Sequence, residues 1–269
     1  MGCGASTPAT PAPETKTTTP PPATADAPAT ADAAPAAWKP PAGAVYHRIT
    51  KIPIKPGSIA EIRKVVETDE FKATMKTFVG FLGVEALSVD ETTMMTHSRW
   101  VSEEAMTGGA DAFKAAMGHI KDHLAGPPEP PWLGPRAMEL TIGGSGTKTA
   151  YRVVVIDMQE GKEQAMIDFA TSKVPEFKAI DGLVEITSFM AGPTKGVVCA
   201  GYVTKAQLEA ATPMIMPIMK EMLGAYGAGP PTMFTTEVDW TTFDFSAAVA
   251  REEPAAEAPA EAEAEPPAE

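Results

Sequence analysis

The middle of this chain is written twice, and that duplication limits the folds open to it more than any other feature. The segment "YHRITKIPIKPGSIAEI" from Tyr46 reads again as "YRVVVIDMQEGKEQAMI" from Tyr151. "GFLGVEALSVDETTMMTHSRWVSEEAM" from Gly80 lies without a gap on "GLVEITSFMAGPTKGVVCAGYVTKAQL" from Gly182, and "HLAGPP" from His123 answers "YGAGPP" from Tyr226. The offset stays between 102 and 105 residues through all three stretches. A repeat that long is the size of a small domain.

Each copy reads as strand, helix, strand, strand, helix, strand. Residues 45–54 are rich in β-branched and aromatic side chains, as a strand requires. "KPGS" ends that strand, and Ser58 stands as the N-cap of a helix with Ile59, Ile62, Val66 and Met75 along one side. In the second copy Met166, Phe169, Lys173 and Phe177 keep helical spacing. The two middle strands turn at "DETT" and at "GPTKG". The last helix, "TPMIMPIMKEML", opens with Thr212 as its cap and Pro213 in the first turn, and Pro217 is expected to kink it. "AMELTI" and "TMFTTEV" close the two copies, and "GGSGTK" joins them as a flexible link.

One copy alone makes a four-stranded antiparallel sheet with both helices on one face. Runs such as "RVVVI" and "GVVCAGYV" are apolar on both faces, so the second face needs a cover. Two such sheets face to face supply it and close an eight-stranded barrel with helices outside. The expected fold is therefore α+β, with copies at 44–143 and 149–243 and flanks at 1–43 and 244–269. Because the copies satisfy each other, a monomer with an internal pseudo-dimer is predicted. A concentration-independent dimer by light scattering would contradict that.

The flanks have a different composition. Residues 1–43 hold ten prolines among Ala and Thr, and residues 251–269 carry seven Glu against one Arg. Such segments bury too little apolar surface to offset the entropy of ordering. The net charge of −13 argues against nucleic acid, which needs clustered Lys and Arg. Two cysteines, Cys3 and Cys199, exclude a disulfide framework. The start "MGCGAS" fits the M-G-x-x-x-[ST] pattern for myristoylation at Gly2, with Cys3 placed for a second acyl chain. One chain binds a membrane only marginally and two hold it. The expectation is a peripheral protein on the cytoplasmic face of a eukaryotic membrane, the alternative a soluble cytoplasmic one. Gly2→Ala is predicted to move the protein from the membrane to the soluble fraction; an unchanged membrane fraction defeats the lipid reading.

At Trp100, Ser102, Glu104, Ala105, Asp111, Phe113 and Ala116 the sequence resembles the antibiotic biosynthesis monooxygenase (ABM) family of dimeric α+β barrels. That pattern is a Trp ending the third strand, a Ser and an acidic-Ala pair opening the helix, and a D-x-F-x-x-A run. The resemblance implies two ferredoxin-like units forming within one chain the barrel that two subunits usually make. It also implies binding of a small apolar or aromatic molecule, with oxidation by oxygen and no cofactor as the activity. Haem-degrading members use an Asn, a helical Trp and a ligand His, whose places fall here on His47, Gly109 and Met117. In the second copy they fall on Arg152, near Ala211 and near Met219. The chain contains no Asn, so that chemistry is not expected. The alternative is a non-catalytic binding or scaffold module.

Among chemistry-bearing residues, His47 and Arg152 occupy matching places on the two first strands and are the catalytic candidates, His47 as a base near neutral pH. Trp100, Tyr202 and His97 are the pocket candidates; Trp100 matches Tyr202, and His97 matches Cys199. A surface or hydrogen-bonded role for the first pair and core packing for the aromatic pair are the plainer alternatives. His119 and His123 share a helical face but lack a third ligand, so no metal site is expected. Cys199 reads as a small buried hydrophobe. The methionines at 214, 216, 219 and 222 read as core filling or as a plastic apolar surface.

Overall fold

The computed structural model describes residues 38–142 and 147–242. Gly2, Cys3, the rest of residues 1–37 and residues 243–269 lie outside the described residues. No described helix is long and apolar enough to cross a membrane.

The first half runs β1 (Tyr46–Pro53), α1 (Ile59–Val66), α2 (Asp69–Met75), β2 (Phe81–Asp90), β3 (Thr93–Trp100), α3 (Glu103–Gly108), α4 (Ala110–His119) and β4 (Trp132–Thr141). The second runs β5 (Ala150–Asp157), α5 (Glu163–Ser172), α6 (Val174–Lys178), β6 (Leu183–Met190), β7 (Lys195–Tyr202), α7 (Lys205–Ala210), α8 (Thr212–Tyr226) and β8 (Thr232–Thr242). All strand pairs are antiparallel, and they close in the order β1-β3-β2-β8-β5-β7-β6-β4. The seams between halves are β2 on β8 and β4 on β6; β4 also pairs with β1 and β8 with β5, so the last strand of each half joins its own sheet to the other.

Alternation sets two sides. Ile49, Leu87, Met95, Tyr151, Val153, Phe189, Val197 and Cys199 pack together with Trp132, Phe234 and Val238. All eight strands contribute, so this cluster is the barrel interior. The opposite faces meet the helices: Ile52, Met94 and Trp100 pack against α1, α2 and α4, and Val154, Ile186 and Tyr202 against α5 to α8.

Four local expectations need correcting. The first helix is two: Thr68, extended at φ −67° and ψ 149°, accepts the Phe71 N–H and starts α2 afresh. Ser58 has helical dihedrals and makes no side-chain cap bond. Thr212 is the first residue of α8 rather than its cap, and its hydroxyl donates to Leu208 O at 3.3 Å. His119 ends α4 while His123 belongs to a separate 3-10 turn, so the two imidazoles share no helical face.

The internal match also shifts by one residue on the first strands. Tyr46 pairs with Trp100, and Ala150, not Tyr151, pairs with Tyr202. The structural equivalents are therefore His47 with Tyr151 and Arg48 with Arg152. A one-residue slip on a strand moves every side chain to the other face, which decides where the candidates point.

Candidate functional site

The inner face carries a buried polar chain. His47 Nδ1 lies 2.9 Å from His97 Nε2, and the His97 ring's other nitrogen is 3.5 Å from Glu85 Oε2. Lys148 Nζ reaches Glu85 at 2.7 Å and Glu185 at 2.6 Å, and donates to the Tyr151 hydroxyl at 2.7 Å. Tyr151 in turn donates to Glu185. The first half supplies His47, Glu85 and His97, the second supplies Tyr151 and Glu185, and the link between them supplies Lys148. Gly201 makes room for it, because a Cβ there would stand 2.8 Å from the Lys148 side chain.

Electrostatics follow from this burial. Burial alone raises the Glu85 carboxyl, but the His97 hydrogen bond and the Lys148 charge outweigh it and hold Glu85 ionised, well below the usual carboxylate range. Burial, then the charges of His97, Arg99 and Arg136, hold His47 well below an ordinary imidazole, so it is neutral at pH 7. Its ring stacks on Phe189 with centroids 5.5 Å apart. Burial likewise pushes the Cys199 thiol up, in keeping with an unreactive buried hydrophobe.

Arg152 does not join this chain. Tyr151 faces inward, so Arg152 faces the helices, where its guanidinium donates to Leu208 O at 3.2 Å and Thr212 Oγ1 at 2.7 Å. His47 and Arg152, matched in sequence, stand on opposite sides of the barrel wall. The structure brings together His47 and His97 on the inner face, and Arg152 and Tyr202 on the helix side.

That helix side holds a cavity of about 70 Å³ in the second half. Its walls are apolar side chains, among them Met138, Met166, Met219 and Met222, interrupted by Arg152, Tyr202 and Ser188. The Tyr202 hydroxyl is buried and has no partner. Burial raises its phenol, against the opposing Arg152 charge, so it remains a donor at neutral pH. The first half has a counterpart of about 50 Å³, differing in lining more than in size. There Trp100 stacks on Phe78 with centroids 5.8 Å apart and meets Phe81 edge-on, and its Nε1 donates to Ser98 at 3.1 Å. Trp100 also occupies the space above Gly109, where a Cβ would come within 2.5 Å of its ring. Ile180, Leu183 and Tyr202 replace this aromatic trio in the second half. Arg48, the equivalent of Arg152, lies over the Phe113 ring at 4.2 Å.

The remaining candidates separate. His119 bonds Thr74 Oγ1 at 3.0 Å, and no group of three or more His, Cys, Asp or Glu among the described residues is placed to hold a metal ion. Met219 and Met222 line the cavity, whereas Met214 and Met216 are exposed. Sequence reasoning missed Lys148, read there as flexible link. A lysine beside two strands bearing inward Glu85 and Glu185 was the available signal, visible only once the register is known.

These features define a class: a dimeric α+β barrel folded from one chain, its two ferredoxin-like halves in the places of two subunits. Solved structures share that fold. A candidate monooxygenase from Lactobacillus acidophilus superposes over 75% of this chain and 97% of its own, with a TM-score of 0.57 and 9% identity. A second, from Fusobacterium nucleatum, covers 74% of this chain and 94% of its own at a TM-score of 0.58 and 12% identity. An anthrone oxidase-like protein covers 74% and 92%, at 0.54 and 16%. No protein-family model and no curated protein sequence matches the chain.

Proposed function

We propose that the second half of this ABM-like barrel holds a small apolar or aromatic molecule between its sheet and helices. The observation that carries this reading is the apolar cavity flanked by methionines; at about 70 Å³ it is smaller than the roughly 150 Å³ that takes up benzene, so a guest enters as these flexible side chains move aside. Two structural neighbours described as candidate monooxygenases and one as anthrone oxidase-like support oxidation of an aromatic guest as the activity to assay. A second reading, binding without catalysis, is favoured by the lining itself. Arg152 is a permanent cation, Tyr202 is held protonated and Ser188 is a hydroxyl, so the lining offers no general base near pH 7. The proposal includes attachment to a membrane through acyl groups on Gly2 and Cys3, supported by the "MGCGAS" start.

The full chain labelled with methyl-13C methionine tests the cavity, with benzyl alcohol as a neutral probe. Methyl shifts are expected at Met138, Met166, Met219 and Met222, and none at Met94, Met95 or Met106. Ala200→Leu fills the cavity and is expected to remove them. No shifts, or the same shifts in the variant, overturn the reading. Oxygen uptake with a compound that co-purifies from a eukaryotic host then separates oxidation from binding alone.

A further inference from the structure

Arg152 is 7% exposed, and its hydrogen bonds go to a carbonyl and a hydroxyl, both neutral. Among the described residues no carboxylate pairs with it. A buried guanidinium without a counter-charge is costly, and protein interiors normally pair such groups. The inner-face chain follows that rule, since the buried Glu85 carboxylate has Lys148 at 2.7 Å. Arg48 satisfies its own charge differently, over the Phe113 ring and at 3.3 Å from Thr50 Oγ1. Arg152 has a threonine hydroxyl as well, but neither a carboxylate nor a described aromatic ring beneath it. Tyr202 lines the same cavity, and its hydroxyl is buried without a hydrogen-bond partner. Two residues that line one largely apolar space thus carry a cation lacking an anion and a donor lacking an acceptor.

We infer that the occupant of this cavity is an apolar anion, a carboxylate or similar oxyanion on a hydrocarbon or aromatic body, held by Arg152 and Tyr202. The inference rests on the cavity reading above and adds the charge of the guest. A guanidinium presents its N–H groups as a planar fork that matches two carboxylate oxygens. The phenol gives one further donor, and the methionines and aliphatic side chains cover the body. Thr212 and Leu208 hold the fork from behind, at the junction of α7 and α8. The guest's charge would neutralise a cation that the fold leaves unpaired, so binding should raise stability by mass action.

The test compares benzoate with benzyl alcohol, matched in size and differing in charge, on the full chain by methionine-methyl shifts. Benzoate is expected to bind at least about tenfold more tightly, the size of effect that a charge-assisted hydrogen bond supplies. Arg152→Met should erase this preference, and wild-type methyl positions at Met94, Met95 and Met106, outside the cavity, report that the variant folds. Tyr202→Phe should narrow the preference for benzoate, and it carries the test should Arg152→Met fail to fold. Equal affinity of the two probes, or a preference surviving in both variants, overturns the anion inference and leaves the apolar cavity standing. Binding of neither probe removes both.

Discussion

Replacing Lys148 with methionine is expected to destabilise the barrel by about 3 kcal/mol or somewhat more, the lower part of the range for breaking a buried ion pair. Its ammonium joins Glu85 and Glu185 at 2.7 and 2.6 Å and donates to Tyr151. Removing it strands a carboxylate that is 2% exposed, on an inner face otherwise packed with Leu87, Met95, Phe189 and Val197. Glu185, at 21% exposure, reaches some water, which is why the lower figure applies. For a body of this size the melting temperature should fall by roughly 6–12 °C. Urea denaturation of the full chain measures the free energy directly. Glu85→Gln in the same background should recover part of the loss, because the stranded charge is then gone, and a double-mutant cycle reads that coupling. A double variant no more stable than Lys148→Met alone would show that Glu85 is not the group Lys148 neutralises.

The position of Lys148 illustrates which parts of this protein are legible in its sequence. The order of elements along each half, the two-sided apolar strands and the closed barrel are legible in the duplicated sequence, since one copy leaves a sheet face that the other can cover. Trp100 and Ser98 on one face with His97 and Arg99 on the other is also readable, by simple alternation along β3. What alternation does not give is the phase between two strands. Aligning Tyr46 with Tyr151 is chemically attractive, but the ladder pairs Ala150 with Tyr202, and that single step sends Arg152 to the helix side. The cavity is harder still to read. It depends on the volumes of Ile180, Leu183 and Tyr202 where the first half has Phe78, Phe81 and Trp100, and on a Thr212 hydroxyl that looked like a helix cap but serves Arg152 instead. Such contacts join residues some 60 positions apart, beyond any local pattern.

Acid should weaken the wild-type barrel from about pH 6.5 downward, and His47→Phe should flatten that dependence. His47 is 1% exposed, and the groups facing it are His97 from β3, Arg99 beyond it, Arg136 from β4 and Glu85 from β2. Burial and three of these neighbours keep it neutral in the folded state, with only Glu85 opposing. In the unfolded chain the same imidazole takes up a proton near pH 6.5. The unfolded state then binds more protons, so stability rises with pH through that range and is lost as pH falls, by about 1.4 kcal/mol per unit. Glu85 has the same sign in a lower window: its folded carboxyl is depressed, so its contribution is full above about pH 4.5 and is lost as acid protonates it. Between pH 5 and 6.5 His47 therefore acts and Glu85 does not. Urea unfolding at pH 5.0 and 7.5 should differ by about 2 kcal/mol in the wild type. In His47→Phe, whose ring can keep the stack on Phe189, most of that difference should vanish even though His97 loses a partner and the variant is weaker at both values. A variant that retains the full wild-type difference would place the acid-sensitive proton elsewhere and would separate the inner-face chain from the protein's pH response.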